Sequence, residues 1–95
     1  MAVDFLVQAA GDTVGLAVAE GLREGQALTG LVVEEDRPVT IEARRDIPVG
    51  HRLAVRAMAA GDAVTWLGAE IGRARAAIAP GDLVDGTNAK LARPG

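Results

Sequence analysis

Apolar residues in this chain occur in short runs that are separated by glycine-centred turns. In four of these turns, an apolar residue lies three positions before the glycine and another lies three positions after it. Glycine adopts the positive φ that tight turns need, and a proline before it restricts the chain further. Each unit is therefore predicted to form a strand, a tight turn and a second strand. The four units are 22–28, 47–53, 58–64 and 78–84.

Turns this frequent leave room only for strands of about four to seven residues. Many short strands joined by Gly-rich turns are typical of a small barrel or sandwich, so we predict a mostly β fold. The predicted strands are 5–7, 14–19, 27–33, 40–43, 52–57, 63–67 and 83–84.

Two segments fit more than one structure. Segment 70–78 has apolar residues at helical spacing, but Gly68 and Gly72 disfavour a helix. We favour a strand or an irregular segment there and leave one short helical turn open. Segment 14–22 would also suit a helix.

The length of 95 residues indicates a single domain spanning 1–95. The charged residues at 34–38 predict an exposed loop or hairpin tip, and those at 44–46 predict solvated surface. The last residues have no apolar periodicity, so about 89–95 are predicted to be a flexible tail.

Charge and composition exclude several classes of function. The formal net charge is −3, which argues against nucleic acid or an anionic membrane surface as a partner. Cysteine is absent, so a disulfide or thiolate site is excluded. The N-terminus does not resemble a signal peptide and no apolar run is long enough to span a membrane, so we expect a cytoplasmic protein.

Few residues offer catalytic chemistry. His51 is the single histidine and serine is absent. A lone histidine is more often a turn residue bonded to a nearby carbonyl than a general base. Trp66 is more often a core or interface anchor than a stacking platform. A weak signal for a hard metal ion comes from Asp82 and Asp85.

Aspartates follow three of the turn glycines. Asp12, Asp62 and Asp82 occupy this position, where aspartate commonly accepts a hydrogen bond from its own turn. We therefore predict a structural role for all three.

The turn motifs resemble the small SAF-type domain of the altronate–galactarate dehydratase and sulfolactate sulfo-lyase family over nearly the whole chain. The matching stretches keep their spacing. They are GDTVGLAV at 11–18, DIPVGHRLA at 46–54, GDAV at 61–64, Gly68 with Ile71, Gly72 and Ala74, IAPGDLV at 78–84, and then Asn88 and Lys90.

This resemblance implies a SAF-type β-clip fold, in which the domain either begins a long dehydratase chain or forms a separate small alpha subunit. It implies β-elimination of water or sulfite from sugar acids or other 2-hydroxy acids. In that chemistry a base removes the proton α to a carboxylate, and a metal stabilises the enediolate. The large partner subunit would hold any divalent metal, and this chain alone would bind no cofactor.

The resemblance also suggests which residues contact substrate. His51 matches the histidine of a Gly-His-Lys stretch, and Arg52 takes the place of its lysine. The family's Val-His-x-His-Asn segment ends at Asn88, but Asp85 and Thr87 replace its histidines. The substrate-binding candidates are His51, Arg52, Asp85, Asn88 and Lys90, and no residue is assigned as catalytic or as a metal ligand.

We therefore expect an accessory subunit that caps the active site of a large dehydratase-like partner, and that is a hydro-lyase or sulfo-lyase only together with it. The alternative is a non-catalytic binding or oligomerisation module that has lost the catalytic histidines and forms a homo-oligomer. A self-contained enzyme is disfavoured because one histidine fills few of the roles that an active site needs.

Overall fold

A computed structural model describes residues 2–91 and shows nine short strands joined mostly by tight turns. A single 3₁₀ turn, Val33–Glu35, joins the third and fourth strands. The strands are β1 Phe5–Val7, β2 Val14–Ala17, β3 Ala27–Val32, β4 Arg37–Glu42, β5 Arg52–Ala54, β6 Ala63–Trp66, β7 Ala69–Ala74, β8 Leu83–Val84 and β9 Ala89–Leu91.

The strands form two sheets. The larger sheet has the order β4-β3-β1-β2-β5-β8, in which only the β1–β3 pair is parallel. The smaller sheet has the order β6-β7-β9 and is antiparallel. The mostly β fold with Gly-rich turns is thus confirmed, and the two sheets are open. No helix in the described part of the chain is long and apolar enough to cross a membrane.

The strand favoured within segment 70–78 is confirmed for residues 70–74, which belong to β7, and the one helical turn of residues 2–91 lies at Val33–Glu35. The predicted flexible tail is wrong for Ala89–Leu91, which form β9 because β7 offers a free edge that pairs with them. The remaining tail residues, 92–95, lie outside the described residues.

The four repeated turns pair with one another. The apolar residues three positions before the glycines are all buried. They form two antiparallel bridges, Leu22 with Ile47 and Met58 with Ile78. The four residues three positions after the glycines are also buried, and these are Leu28, Leu53, Val64 and Val84. The apolar spacing recognised in the sequence therefore marks core positions.

Each repeated turn also holds a buried alanine on another segment. The glycine N–H donates to the alanine carbonyl, and the alanine N–H donates to the carbonyl of the residue after the glycine. The distances lie between 2.7 and 2.9 Å. The pairs are Gly25 with Ala43, Gly50 with Ala17, Gly61 with Ala74, and Gly81 with Ala54.

This pattern divides the chain into two structurally equivalent halves, 17–53 and 54–84. Within 17–53, the turn at Gly25 is bonded to Ala43 and the turn at Gly50 to Ala17. Within 54–84, the turn at Gly61 is bonded to Ala74 and the turn at Gly81 to Ala54 in the same order. Each half also contains one hairpin, β3–β4 or β6–β7. The core is divided in a similar way, with one cluster around Phe5, Leu28 and Leu53 and another around Val64 and Ile78.

Candidate functional site

Strand pairing brings four of the five candidate residues close together. In the larger sheet, Arg52 on β5 lies opposite Val84 on β8. The chain therefore places His51 and Arg52 beside the start of the turn that contains Asp85 and Asn88. The candidate site lies where β5 begins and β8 ends.

His51 directly follows the glycine of its repeated turn. In the other three repeated turns, the sister turns, the residue at this position is Gln26, Asp62 or Asp82. There a side-chain oxygen accepts a hydrogen bond from the N–H three residues earlier, at 2.8 to 3.1 Å. In the His51 turn, the residue three positions earlier is Pro48, which has no N–H to donate.

The His51 imidazole is therefore released from the local role that the equivalent side chains perform. It is exposed, and it forms no side-chain hydrogen bond among residues 2–91. The interpretation as a turn histidine bonded to a carbonyl is not supported by these contacts, which leaves the imidazole available to a ligand.

Asp85 is tied to Thr87. One carboxylate oxygen, Oδ1, accepts hydrogen bonds from the Thr87 hydroxyl and from the Thr87 N–H, the latter at 2.9 Å. The hydroxyl bond is the largest cause of a lowered Asp85 pKa, followed by the N–H bond. Burial opposes the shift, and nearby Arg45 and His51 reinforce it. Asp85 is thus a carboxylate near neutral pH and a weak base.

Asn88 shapes the turn with both ends of its side-chain amide. Its Nδ2 donates to the Leu83 carbonyl at 2.8 Å, and its Oδ1 accepts from the Asp85 N–H at 3.0 Å. These bonds close residues 83–88 into a compact loop. Asn88 therefore positions Asp85 in this structure.

Arg52 points toward the smaller sheet. Its guanidinium carbon lies 5.8 Å from the centre of the Trp66 ring, within the range of a cation–π contact. Its Nε is buried without a hydrogen-bond partner in the described chain. Trp66 is half-buried and packs against the second core cluster, as expected of a core anchor. Stacking on this ring fixes where the guanidinium can reach.

Lys90 lies two residues after Asn88, on the exposed side of β9. It is opposite Arg73 of β7. With Arg75, Gly86, Ala89 and Leu91 it lines an open depression. Gly86 follows Asp85 directly, so this depression adjoins the same turn.

The two aspartates with a weak metal signal do not form a metal site. The Asp82 carboxylate accepts from the Ala79 N–H at 2.8 Å and pairs with Arg44 at 3.3 Å. Asp85 is engaged by Thr87. Within residues 2–91 there is no group of three or more His, Cys, Asp or Glu side chains that could hold a metal ion. We derive no step through a metal on this chain.

The aspartates that follow turn glycines have the predicted structural role. Asp62 and Asp82 accept from the N–H three residues earlier, and Asp12 accepts in the same way from Ala9 at 3.0 Å. Neither Arg45 nor Arg75 belongs to a motif that points to a site. Arg45 lies in the charged cluster at 44–46, and only the tertiary structure brings it near Asp85.

Comparison with known proteins identifies the family of this chain. Residues 3–92 match the model of the altronate/galactarate dehydratase SAF domain. The chain is also 41% identical over 93 residues to the (2R)-sulfolactate sulfo-lyase subunit alpha of Chromohalobacter salexigens, and this similarity covers 98% of this chain and 99% of the relative. With a match that spans nearly its whole length, the chain belongs to the altronate/galactarate dehydratase SAF domain family.

Proposed function

We propose that this chain is the small subunit of a lyase that eliminates water or sulfite from a sugar acid or another 2-hydroxy acid. It caps the active site of a large catalytic partner and contacts substrate there. The similarity to a sulfo-lyase alpha subunit over nearly both full lengths supports a role as a lyase subunit. One observation supports the substrate contact. Because Pro48 has no N–H to donate, the His51 side chain does not cap its own turn and is available to a ligand.

The elimination requires two changes in the substrate. The C–H bond α to the carboxylate breaks, and its electron pair forms a double bond to the neighbouring carbon. As this double bond forms, the bond from the neighbouring carbon to oxygen or sulfur breaks, and the leaving group departs with its electron pair, either as sulfite or as hydroxide that takes up a proton to become water. A divalent metal held by the partner would stabilise the negative charge that develops on the carboxylate.

The residues of this chain would bind and orient the substrate. His51 can donate a hydrogen bond to the substrate carboxylate or pass a proton to the leaving group, because an imidazole nitrogen can act as a donor or as an acceptor. Arg52, held against Trp66, presents donors suited to a carboxylate. Asp85 contributes an acceptor, and its low pKa makes it unsuited to remove the α proton. The base is therefore assigned to the partner. We also propose that the reaction takes place in the cytoplasm.

One observation favours a second function. At the two positions where the family has histidines, Asp85 and Thr87 bond to each other. A chain whose loop is closed in this way would suit a non-catalytic binding module that assembles with copies of itself.

The experiment that separates these functions uses the chain tagged in its native cells. We expect it to purify with a large dehydratase-like subunit and to eliminate sulfite from sulfolactate or water from a sugar acid. His51→Asn should lower kcat by about 10²-fold or more if the imidazole moves a proton. Gln26→Ala, at the sister turn, is the matched control and should leave kcat unchanged.

Two results would decide against the lyase. Purification as a homo-oligomer, with no second chain and no turnover, would identify the binding module instead. An active complex in which His51→Asn and Gln26→Ala behave alike would remove His51 from the site.

A further inference from the structure

The exposed face of the β7–β9 pair carries an excess of positive charge. Ala74 and Ala89 are buried and lie opposite each other. Because side chains alternate along a strand, their neighbours point to the other face. Arg73, Arg75 and Lys90 are accordingly exposed. The Arg75 N–H donates to the Asn88 carbonyl at 2.8 Å, which extends the pairing beyond β7 and keeps Arg75 beside β9.

The three cations differ in their partners. Arg73 donates to the Gly61 carbonyl at 2.9 Å and pairs with Glu70 at 3.3 Å. Within residues 2–91, neither Arg75 nor Lys90 forms an ion pair with a carboxylate. Like charges that face each other across two strands are unfavourable. This arrangement is unusual in a chain whose net charge is −3.

A depression with a volume of about 410 Å³ lies among these groups. Arg75 and Lys90 line it together with Leu91 and the buried Ala89, and none of its lining residues within 2–91 is acidic. Gly86 completes the lining, and its N–H donates to no acceptor among the described residues. A β-carbon at Gly86 would meet nothing within 4 Å, so the space beside its Cα is empty.

We propose that Arg75 and Lys90, together with the Gly86 N–H, form a binding site for a small oxyanion: a sulfonate, sulfate or phosphate group. The guanidinium supplies a planar pair of donors and the ammonium supplies a point charge. A bound anion would offset the repulsion between the cations. The site needs no catalytic partner, so it goes beyond the lyase proposal. The oxyanion comes either from an organic acid or from a free inorganic ion.

Amide NMR titration of the purified chain at constant ionic strength tests the site. The probes are sulfate, inorganic phosphate, methanesulfonate and sulfolactate, with chloride and lactate as controls. We expect saturable shifts of the Gly86, Arg75 and Lys90 amides. Tighter binding of sulfolactate than of sulfate would identify an organic acid as the source, and equal or tighter binding of sulfate or phosphate would identify a free ion.

Charge-removing variants provide the matched comparison. Arg75→Gln and Lys90→Gln should each weaken binding about tenfold or more, as expected for the loss of a charge-assisted hydrogen bond. Arg73→Gln removes the same charge from the same face but leaves the depression intact, so it should change affinity less than about threefold. All three side chains are exposed, and unchanged thermal midpoints would exclude unfolding as the cause.

Non-saturating shifts, or equal effects of the three substitutions, would show general screening and overturn the site. This outcome leaves the lyase proposal untouched, because that proposal depends on His51 and a partner subunit.

Discussion

The carboxylate of Asp12 accepts a hydrogen bond from the N–H of Leu67 at 3.0 Å, across 55 residues of sequence. The same carboxylate accepts from the Gly68 N–H at 2.9 Å and from the Ala9 N–H at 3.0 Å. Asp12 is only 1% exposed. A buried charge is tolerated here because three donors satisfy it. This carboxylate fixes the tip of the β6–β7 hairpin to the loop before β2.

Removal of the Asp12 carboxylate should be costly. We expect Asp12→Ala to lower the free energy of unfolding by about 2–4 kcal/mol, because three partly buried N–H groups lose their acceptor. Asp62→Ala, which removes an exposed carboxylate with a single turn bond, should cost less than about 1 kcal/mol. Urea denaturation followed by circular dichroism measures both. If Asp12→Ala does not fold, Asp12→Asn can be measured in its place and should give an intermediate loss. Equal losses in Asp12→Asn and Asp62→Ala would show that the Asp12 carboxylate does not hold the hairpin tip.

Leu67 is in an unfavourable backbone conformation at this tip. Its φ is +57° and the φ of Gly68 is +75°, as in the two-residue turns that prefer Asn-Gly. Its side chain is 61% exposed. Leu67→Asn should therefore raise stability by about 1 kcal/mol, or roughly 4–8 °C in Tm.

Val33→Asn is the matched control for this substitution. It removes another exposed apolar side chain at a residue without positive φ, and should leave Tm unchanged within about 2 °C. An equal rise in both variants would attribute the gain to lost apolar surface, and no rise in Leu67→Asn would contradict the backbone strain.

The release of His51 from turn capping can be measured by a double-mutant cycle. His51→Asp alone should not stabilise the turn, because Pro48 has no N–H. Pro48→Ala restores that donor, so the double variant should show a favourable coupling of about 1 kcal/mol. The cycle cancels the effect of removing a proline on the unfolded chain. Zero coupling would show that an aspartate at position 51 does not accept the hydrogen bond from residue 48 that the equivalent side chains accept in the other three turns.

A comparison of Gly81 with Gly25 separates the cost of a steric clash from the cost of a positive φ. Gly81 and Gly25 have φ of +93° and +85°, but a β-carbon at Gly81 would overlap the Glu42 carbonyl oxygen, whereas one at Gly25 meets nothing within 4 Å. Gly25→Ala should cost about 1–2 kcal/mol of unfolding free energy. Gly81→Ala should cost about 4 kcal/mol or more, because the two halves of the chain must separate. Thermal melts compare them, and similar losses would show that the backbone there yields easily.

The Asp85 carboxyl should titrate below its ordinary pKa of 3.8, because Thr87 donates to it. A depressed folded-state pKa stabilises the protein fully above the unfolded value, and this contribution is lost as the pH falls through the folded pKa. Thr87→Val should raise the Asp85 pKa toward the ordinary value, whereas Thr87→Ser keeps the hydroxyl and should not. Carboxyl NMR titration measures all three proteins. An unchanged pKa in Thr87→Val would assign the shift to the Thr87 N–H, which this variant keeps, together with Arg45 and His51.

The sequence by itself determined the class of fold and the positions of its turns. The spacing of Leu22 and Leu28 around Gly25 predicted a tight turn between two strands, and both leucines are buried on either side of that turn. The same local chemistry predicted the roles of Asp62 and Asp82, whose partners lie three residues away.

The tertiary structure decided everything that depends on distant pairing. It made Ala89–Leu91 a strand, because the edge of β7 was available to them. It brought Arg45 near Asp85 and placed Arg75 beside Lys90, and no sequence period links either pair. It also showed that His51 differs from its sister residues, since that comparison needs the hydrogen bonds of the equivalent turns. Local spacing encodes turns and burial, whereas a site built from separate loops exists only once the strands have paired.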